Sequence, residues 1–335
     1  MKLAKIVFRC DGSNEIGFGH LRRCINLAQW LRGKFDVAFF TKKTKESSTI
    51  LKKTGIETHY LEKDIDANED LNVFTQFLSD WSPKIIVNDI KNTSSDYMQA
   101  ISLAKARLVN FDDLGDGADL ADVVIDANRR ENKKKLFGPK YVILHDDFAR
   151  EHKRSRTLHK HVKNLVVAIG GGDPHNYTQK ILECLEGVDY TFNTAVILGP
   201  TFKDIHHIKQ KWKNHERVYF LEDLETLVKP LLWADCAIVN GGLTMFESLC
   251  LGTPTLVVSQ NTDEVKNVKR LERKNAVLDV GLGKKVSVNK LNKRLRKVCD
   301  NLEFRKKLSD AGKEIVDGKG IFRVLGIIEK LARKR

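Results

Sequence analysis

Short apolar runs alternate with longer segments of helical spacing along the chain. "KIVF" (5–8), "DVAFF" (36–40), "KIIVN" (84–88), "ARLVNF" (106–111) and "DVVID" (122–126) are rich in β-branched and aromatic residues and bounded by polar ones. That is the pattern of strands buried on both faces of a parallel sheet, and each except the last is followed by a helical segment. Residues 151–163, "EHKRSRTLHKHVK", are polar and basic with almost nothing to bury. A second series then begins: "NLVVAIGGGD" (164–173), "TFNTAVILGP" (191–200), "RVYFLED" (217–223), "CAIVNGG" (236–242), "TPTLVVSQ" (253–260) and "NAVLDV" (275–280). The expected organisation is an N-terminal α/β domain over 1–150, a linker over 151–163 and a C-terminal α/β domain over 164–320. A final helix, 321–335, is a candidate to pack back on the first domain.

Composition supports this. The chain has 335 residues, 41% of them hydrophobic, enough for two domains each with its own core. Its formal net charge is +14, with lysine and arginine scattered, denser from Lys203 onward and in the "KLARKR" tail. Such a charge fits an anionic ligand or surface, and equally a solvated basic exterior. Six cysteines show no CxxC spacing, which argues against a zinc site or a disulfide framework. The first apolar run is too short for a signal peptide and no apolar stretch approaches membrane-spanning length, so a cytoplasmic location without membrane insertion is expected. The acidic residues Asp112, Asp113, Asp116, Asp119, Asp122 and Asp126 have no specific metal-ligand spacing and read as turn and cap residues, while Asp112 and Asp113, following a strand's carboxyl end, are also candidates to line the ligand cleft.

In open α/β sheets, ligands bind beyond the carboxyl ends of strands, and two such domains would face an inter-domain cleft. The stretch "RCDGSNEIGFGHLRRC" (9–24) leaves the first strand at that end. Gly17 and Gly19 permit positive φ and close approach of a ligand. A dinucleotide fingerprint would need glycine where Arg22 stands, and no P-loop Gly-Lys-Ser/Thr follows. His20 opens a helix, whose dipole favours the neutral, proton-accepting imidazole; a capping or surface role is the alternative. In the second series, Gly241 and Gly242 can turn amides toward a phosphate at a helix start. Thr244 and Glu247 lie in the first turns of that helix, Glu247 placed to accept hydrogen bonds from a ribose; Gly-Gly alone is also a tight turn. Gly171, Gly172 and Asp173 repeat the device, with Asp173 as expected N-cap and Pro174 at the first helical position.

At these residues the chain resembles a known family. "FRCDGSNEIGFGHLRRC", "NFDDLGDGADLADVVIDAN", "FGPKYVILHDDF", "VVAIGGGDPHN" and "VNGGLTMFESLCLGTPTLVV" are similar to segments of the nucleotide-sugar hydrolases of pseudaminic acid biosynthesis. Those enzymes remove UDP from UDP-2,4-diacetamido-2,4,6-trideoxy-β-L-altropyranose. "VNDIKNTSSDYMQAI" looks like the subgroup of spore-coat polysaccharide biosynthesis proteins. Wider relatives are GT-B glycosyltransferases that add N-acetylglucosamine to a lipid-linked peptidoglycan precursor. The resemblance implies a GT-B-like α/β fold of two doubly wound parallel-sheet domains, with UDP held by the C-terminal one. It implies that His20 is catalytic and that Asp11, Gly17 and Gly19 shape the sugar site. The chain departs from the hydrolases' Asp-His-Tyr at Asn88 to Lys91, from their Arg-Asp/Glu-Glu-Phe at His145 to Phe148, and from their Asn-Gln at Gln260 and Asn261. The sugar is therefore not assigned.

The expected chemistry is hydrolysis of a UDP-activated amino or deoxy sugar, with His20 serving a water at the anomeric carbon and the glycine turn serving the leaving diphosphate. That scheme calls for no metal and no cofactor. A GT-B glycosyltransferase using a UDP-sugar donor is the alternative. A basic nucleic-acid or carbohydrate-binding protein is a third reading, weakened because no aromatic-interleaved basic motif is present. Protein partners leave no signal.

Overall fold

The computed structural model describes residues 3–13, 17–128 and 136–333. Asn14 to Ile16 of the first glycine loop and Lys334 and Arg335 of the basic tail lie outside the described residues. The chain divides into two compact units: residues 1–143 with 319–335, and residues 144–318.

In the first unit the order is β1 (Lys5–Cys10), α1 (Gly19–Leu31), β2 (Asp36–Lys42), α2 (Lys45–Lys52), β3 (Glu57–Leu61), α3 (Ala67–Trp81), β4 (Ile85–Asp89), α4 (Ser95–Ser102), β5 (Arg107–Phe111), β6 (Val123–Asp126) and β7 (Leu136–Phe137). The strands form one parallel sheet in the order β3-β2-β1-β4-β5-β6-β7. The order reverses between β1 and β4, which opens a crevice at their carboxyl ends. One sheet face packs Ile6, Phe8, Val87 and Phe111 on Leu21, Leu27 and Leu31 of α1, and the other packs Val7, Phe40 and Ile86 on Phe74 and Leu78 of α3. β3 and β7 escape the pattern reading. They are the two sheet edges, one with a largely solvated sequence and the other only two residues long.

The second unit runs α5 (Asp146–Glu151), β8 (Asn164–Ala168), α6 (Tyr177–Glu186), β9 (Asn193–Ile197), α7 (Ile205–Lys211), β10 (Val218–Leu221), α8 (Val228–Trp233), β11 (Cys236–Asn240), α9 (Leu243–Cys250), β12 (Thr255–Ser259), α10 (Thr262–Arg273), β13 (Leu278–Leu282), α11 (Val288–Cys299) and α12 (Leu302–Ile315). Its parallel sheet, β10-β9-β8-β11-β12-β13, has the same winding, with the switch point between β8 and β11. The polar segment 151–163, read as a linker because it has nothing to bury, is fastened to this unit by hydrogen bonds instead. His152 Nδ1 donates to the Cys250 carbonyl at 2.8 Å, Arg156 reaches the Leu231 carbonyl at 3.2 Å, and His159 meets Asp235 at 2.7 Å.

The last helix, α13 (Gly320–Arg333), belongs to the first unit. Ile321, Val324, Ile328 and Leu331, spaced on one face, share the core of Leu21 and Leu31. Truncating the fully buried Ile328 to alanine is expected to cost about 2–5 kcal/mol.

Candidate functional site

The residues of interest gather at the two switch points. In the first unit the loop after β1 turns at Gly17, whose φ is +81° and whose amide donates to the Ser13 carbonyl at 2.8 Å. Gly19 needs no such freedom, contrary to expectation: it is the first residue of α1 and adopts a helical backbone. Gly12, which sequence reasoning passed over, is the tighter site, since a Cβ there would lie 3.1 Å from Phe18 and 3.2 Å from Leu21.

His20 stands in the first turn of α1, 27% of its side chain exposed. Its Nδ1 is 2.7 Å from Oδ1 of Asp89, the last residue of β4, whose side chain is fully buried. The sequence pointed to the helix start as the environment of this ring; the group in direct contact with it is the Asp89 carboxylate, which orients it. An ionised carboxylate only accepts, so Nδ1 carries the shared proton and Nε2 is left as the open ring nitrogen. Burial alone would raise the Asp89 carboxyl, but Arg23, followed by His20, holds it well below the usual carboxylate range. Arg23 grips both oxygens of Asp89 and also pairs with Asp112, the residue after β5, which adopts φ +48°. Burial opposes the Arg23 charge, yet Asp112 and Asp89 raise its pKa well above normal. Asp89 and Arg23 thus complete a cluster of which the sequence pointed to His20 and, as a residue after a strand's carboxyl end, Asp112. The signal of the two carboxylates was position: Asp89 ends β4 at the switch point, and Asp112 directly follows β5, the neighbouring strand.

Asp11 is not hydrogen-bonded into that cluster. It follows Cys10, the register partner of Asp89, but accepts from Arg9 at 2.7 Å and from the Lys42 amide at 2.8 Å. Arg9 is 1% exposed and is gripped on its other side by Asp70 of α3. Three further acidic residues of the run hold backbone: Asp113 takes the amides of Thr93 and Gly115 at 3.0 Å each, and Asp116 and Asp122 take those of Ser95 and Leu108.

In the second unit, loops from four adjacent strands meet. Gly170, at φ +97°, packs so closely that a Cβ would lie 3.2 Å from Asn240 Nδ2. The Gly171 carbonyl accepts from Thr201 Oγ1 at 2.9 Å, and a Cβ on Gly172 would meet the same hydroxyl at 2.9 Å. Asp173 departs from its expected place. The helix begins only at Tyr177, and Asp173 reaches across the loop to accept from the amides of Tyr177 at 2.9 Å and Thr178 at 2.6 Å. Pro174 is therefore outside the helix, and α6 spends its first amides on its own carboxylate. α9 differs. No side chain caps it; Gly242 is its N-cap, Thr244 is buried in its first turn, and Glu247 lies half-buried three residues on, on the same face. The first amides of a helix lack intrahelical partners, so α9 presents them beside the switch point. The Gly241 amide is not among those free: it donates to Glu264 of α10 at 3.1 Å.

Similarities to known proteins bear on this arrangement. No family model matches the chain. It is 32% identical over 275 residues to an uncharacterized protein of Methanocaldococcus jannaschii, covering 77% of this chain and 56% of that protein, so it spans little more than half of that relative's length. It is 26% identical over 333 residues to the spore coat polysaccharide biosynthesis protein SpsG of Bacillus subtilis, covering 96% of both. Among solved structures, MurG of Acinetobacter baumannii superposes with a TM-score of 0.72 at 14% identity, covering 98% of this chain and 99% of that one. UGT2 of Phytolacca americana, complexed with UDP-2-fluoro-glucose and pterostilbene, superposes at 0.70 and 13% identity over 98% and 99%. CalG4, the calicheamicin glycosyltransferase, superposes at 0.67 and 11% identity over 99% and 98%. The fold is of the GT-B type. No helix among the described residues is long and apolar enough to cross a membrane.

Proposed function

We propose that this protein is a UDP-sugar hydrolase of surface-polysaccharide or nonulosonic acid biosynthesis, of the pseudaminic acid hydrolase type. The observation that carries the reading is the His20–Asp89 pair: a buried carboxylate bonded to Nδ1 orients the ring and leaves Nε2 as the nitrogen that would serve a water. The spore-coat polysaccharide relative and the UDP-sugar bound by UGT2 support the substrate class. In the proposed reaction water oxygen bonds to the anomeric carbon and gives a proton to His20. The bond from that carbon to the diphosphate oxygen breaks, and its electron pair leaves with UDP. Gly242, the first amides of α9 and Thr244 receive the diphosphate, and Glu247 accepts from the ribose hydroxyls. Asp11 and the Gly17 loop bound the sugar. Gly171 and Gly172 let the neighbouring loop approach the nucleotide closely. Asp173 holds the start of α6 through two amides and keeps acceptor capacity on both oxygens for the nucleotide side of the loop.

The test is turnover of a panel of UDP-, GDP- and CMP-sugars in ¹⁸O-labelled water without an acceptor. Label is expected in the free sugar and not in UDP. Label in UDP would mean attack at phosphorus. The likeness to a glycosyltransferase supports a second reading, in which a sugar or lipid hydroxyl replaces water. Absence of sugar release until an acceptor is added would select it.

A further inference from the structure

The loops at the second switch point are joined through one side chain. Glu264, in the first turn of α10, accepts on Oε2 from the Gly241 amide at 3.1 Å and from the Gln260 amide at 2.8 Å. Gln260 in turn donates from Nε2 to the Ile169 carbonyl at 2.8 Å. A continuous chain of hydrogen bonds therefore runs through the loops after β11, β12 and β8. Asn261 steadies the carboxylate: it caps the Glu264 amide at 2.9 Å and offers Nδ2 to Oε1 at 3.4 Å. The backbone is shaped to this contact, since a Cβ on Gly241 would lie 2.9 Å from both Cβ and Oε2 of Glu264.

We propose that Glu264 is a positioning residue for the anion-binding turn. By taking the Gly241 amide it fixes the Gly241–Gly242 turn, keeps that donor from the ligand, and directs a phosphate to the amides of α9. The inference rests on the reading of α9 as the nucleotide-binding helix. Two opposing effects follow from a carboxylate at an anion site. Its hydrogen bonds preorganise the turn, and its charge repels a phosphate. A carboxylate already holding two amides has its charge partly offset by those donors, so preorganisation dominates.

Two variants separate the effects. Glu264→Gln keeps an acceptor oxygen at the same reach and removes the charge; Glu264→Ala removes both. Full-length protein is titrated with UDP by calorimetry, and hydrogen exchange is followed at the Gly241 and Gln260 amides. Glu264→Ala is expected to weaken UDP about tenfold and to deprotect both amides, while Glu264→Gln stays within about threefold of wild type and retains protection. Tighter UDP binding in either variant overturns the proposal, for it would show a carboxylate that competes with phosphate. Unchanged binding and protection in Glu264→Ala overturns it as well. If wild type itself does not bind UDP, the nucleotide reading fails on its own, and exchange decides the positioning role: loss of protection in Ala with retention in Gln upholds it, and equal exchange in both refutes it.

Discussion

Nδ1 of His20 and Oδ1 of Asp89 lie 2.7 Å apart across 69 residues of sequence. The contact joins the first turn of α1 to the end of β4, beside the point where the first sheet reverses its winding. It gives the ring a fixed tautomer and orientation. An Asp89→Asn change keeps the shape but lets the amide donate, which frees the ring to adopt the other tautomer. UDP-sugar turnover is expected to fall by about 10² to 10⁴ with unchanged UDP affinity. Wild-type turnover in the variant would show that the pair does not orient a base.

His20→Asn removes the basic nitrogen while keeping a polar side chain of similar reach. The expected loss is again about 10² to 10⁴ in kcat, with UDP binding by calorimetry within error of wild type. The double variant with Asp89→Asn should lose little more than either single one, because the two act as a unit. Additive losses would assign them separate tasks.

Glu247→Ala tests the nucleotide helix. Loss of a charge-assisted hydrogen bond to the ribose should weaken UDP by about 1.5 to 3 kcal/mol. Circular dichroism of the variant checks the fold, and undiminished affinity in a folded protein would move the ribose elsewhere.

The depressed Asp89 pKa makes a prediction for acid stability. Although burial opposes ionisation, Arg23 and His20 favour it, so the folded pKa lies below the unfolded one. Its contribution is complete above the ordinary carboxylate value of about 3.9 and is lost as pH falls toward the folded value. Asp89→Asn leaves Asp112 as the one carboxylate of the cluster to balance Arg23. It should cost about 3 kcal/mol at pH 7 in urea unfolding and flatten the decline below about pH 4. An unaltered slope below that pH would mean that other carboxyls govern acid unfolding.

Gly17 and Gly19 should respond oppositely to alanine. Among the described residues, neither would place its Cβ within 4 Å of an atom beyond its chain neighbours. Gly17 has φ +81°, where a Cβ costs about 1–2 kcal/mol. Gly19 is helical, where alanine gains up to about 1 kcal/mol. Thermal melts of the two variants distinguish them, and a shift in the same direction for both would contradict the loop geometry.

Local pattern was enough to specify much of this protein. Continuous apolar runs such as "KIIVN" and "TPTLVVSQ" mark central parallel strands because both faces are buried, so no alternation is needed to read them. The edge strand "ETHYL" was illegible for the converse reason: one side faces solvent and its composition is that of a loop. The glycine turns and His20 were visible because turn chemistry and helix starts are properties of a few consecutive residues. Tertiary structure alone decided what those residues do. Asp89 and Asp112 become partners of His20 and Arg23 only because the winding places the ends of β4 and β5 near the start of α1. Asp173 and Glu264 show the same limit from the other side. The carboxylate expected at the N-cap holds the first amides of α6 from four residues before the helix, and one that no motif marked takes the Gly241 amide, since hydrogen bonds between loops depend on which strand ends the sheet brings together.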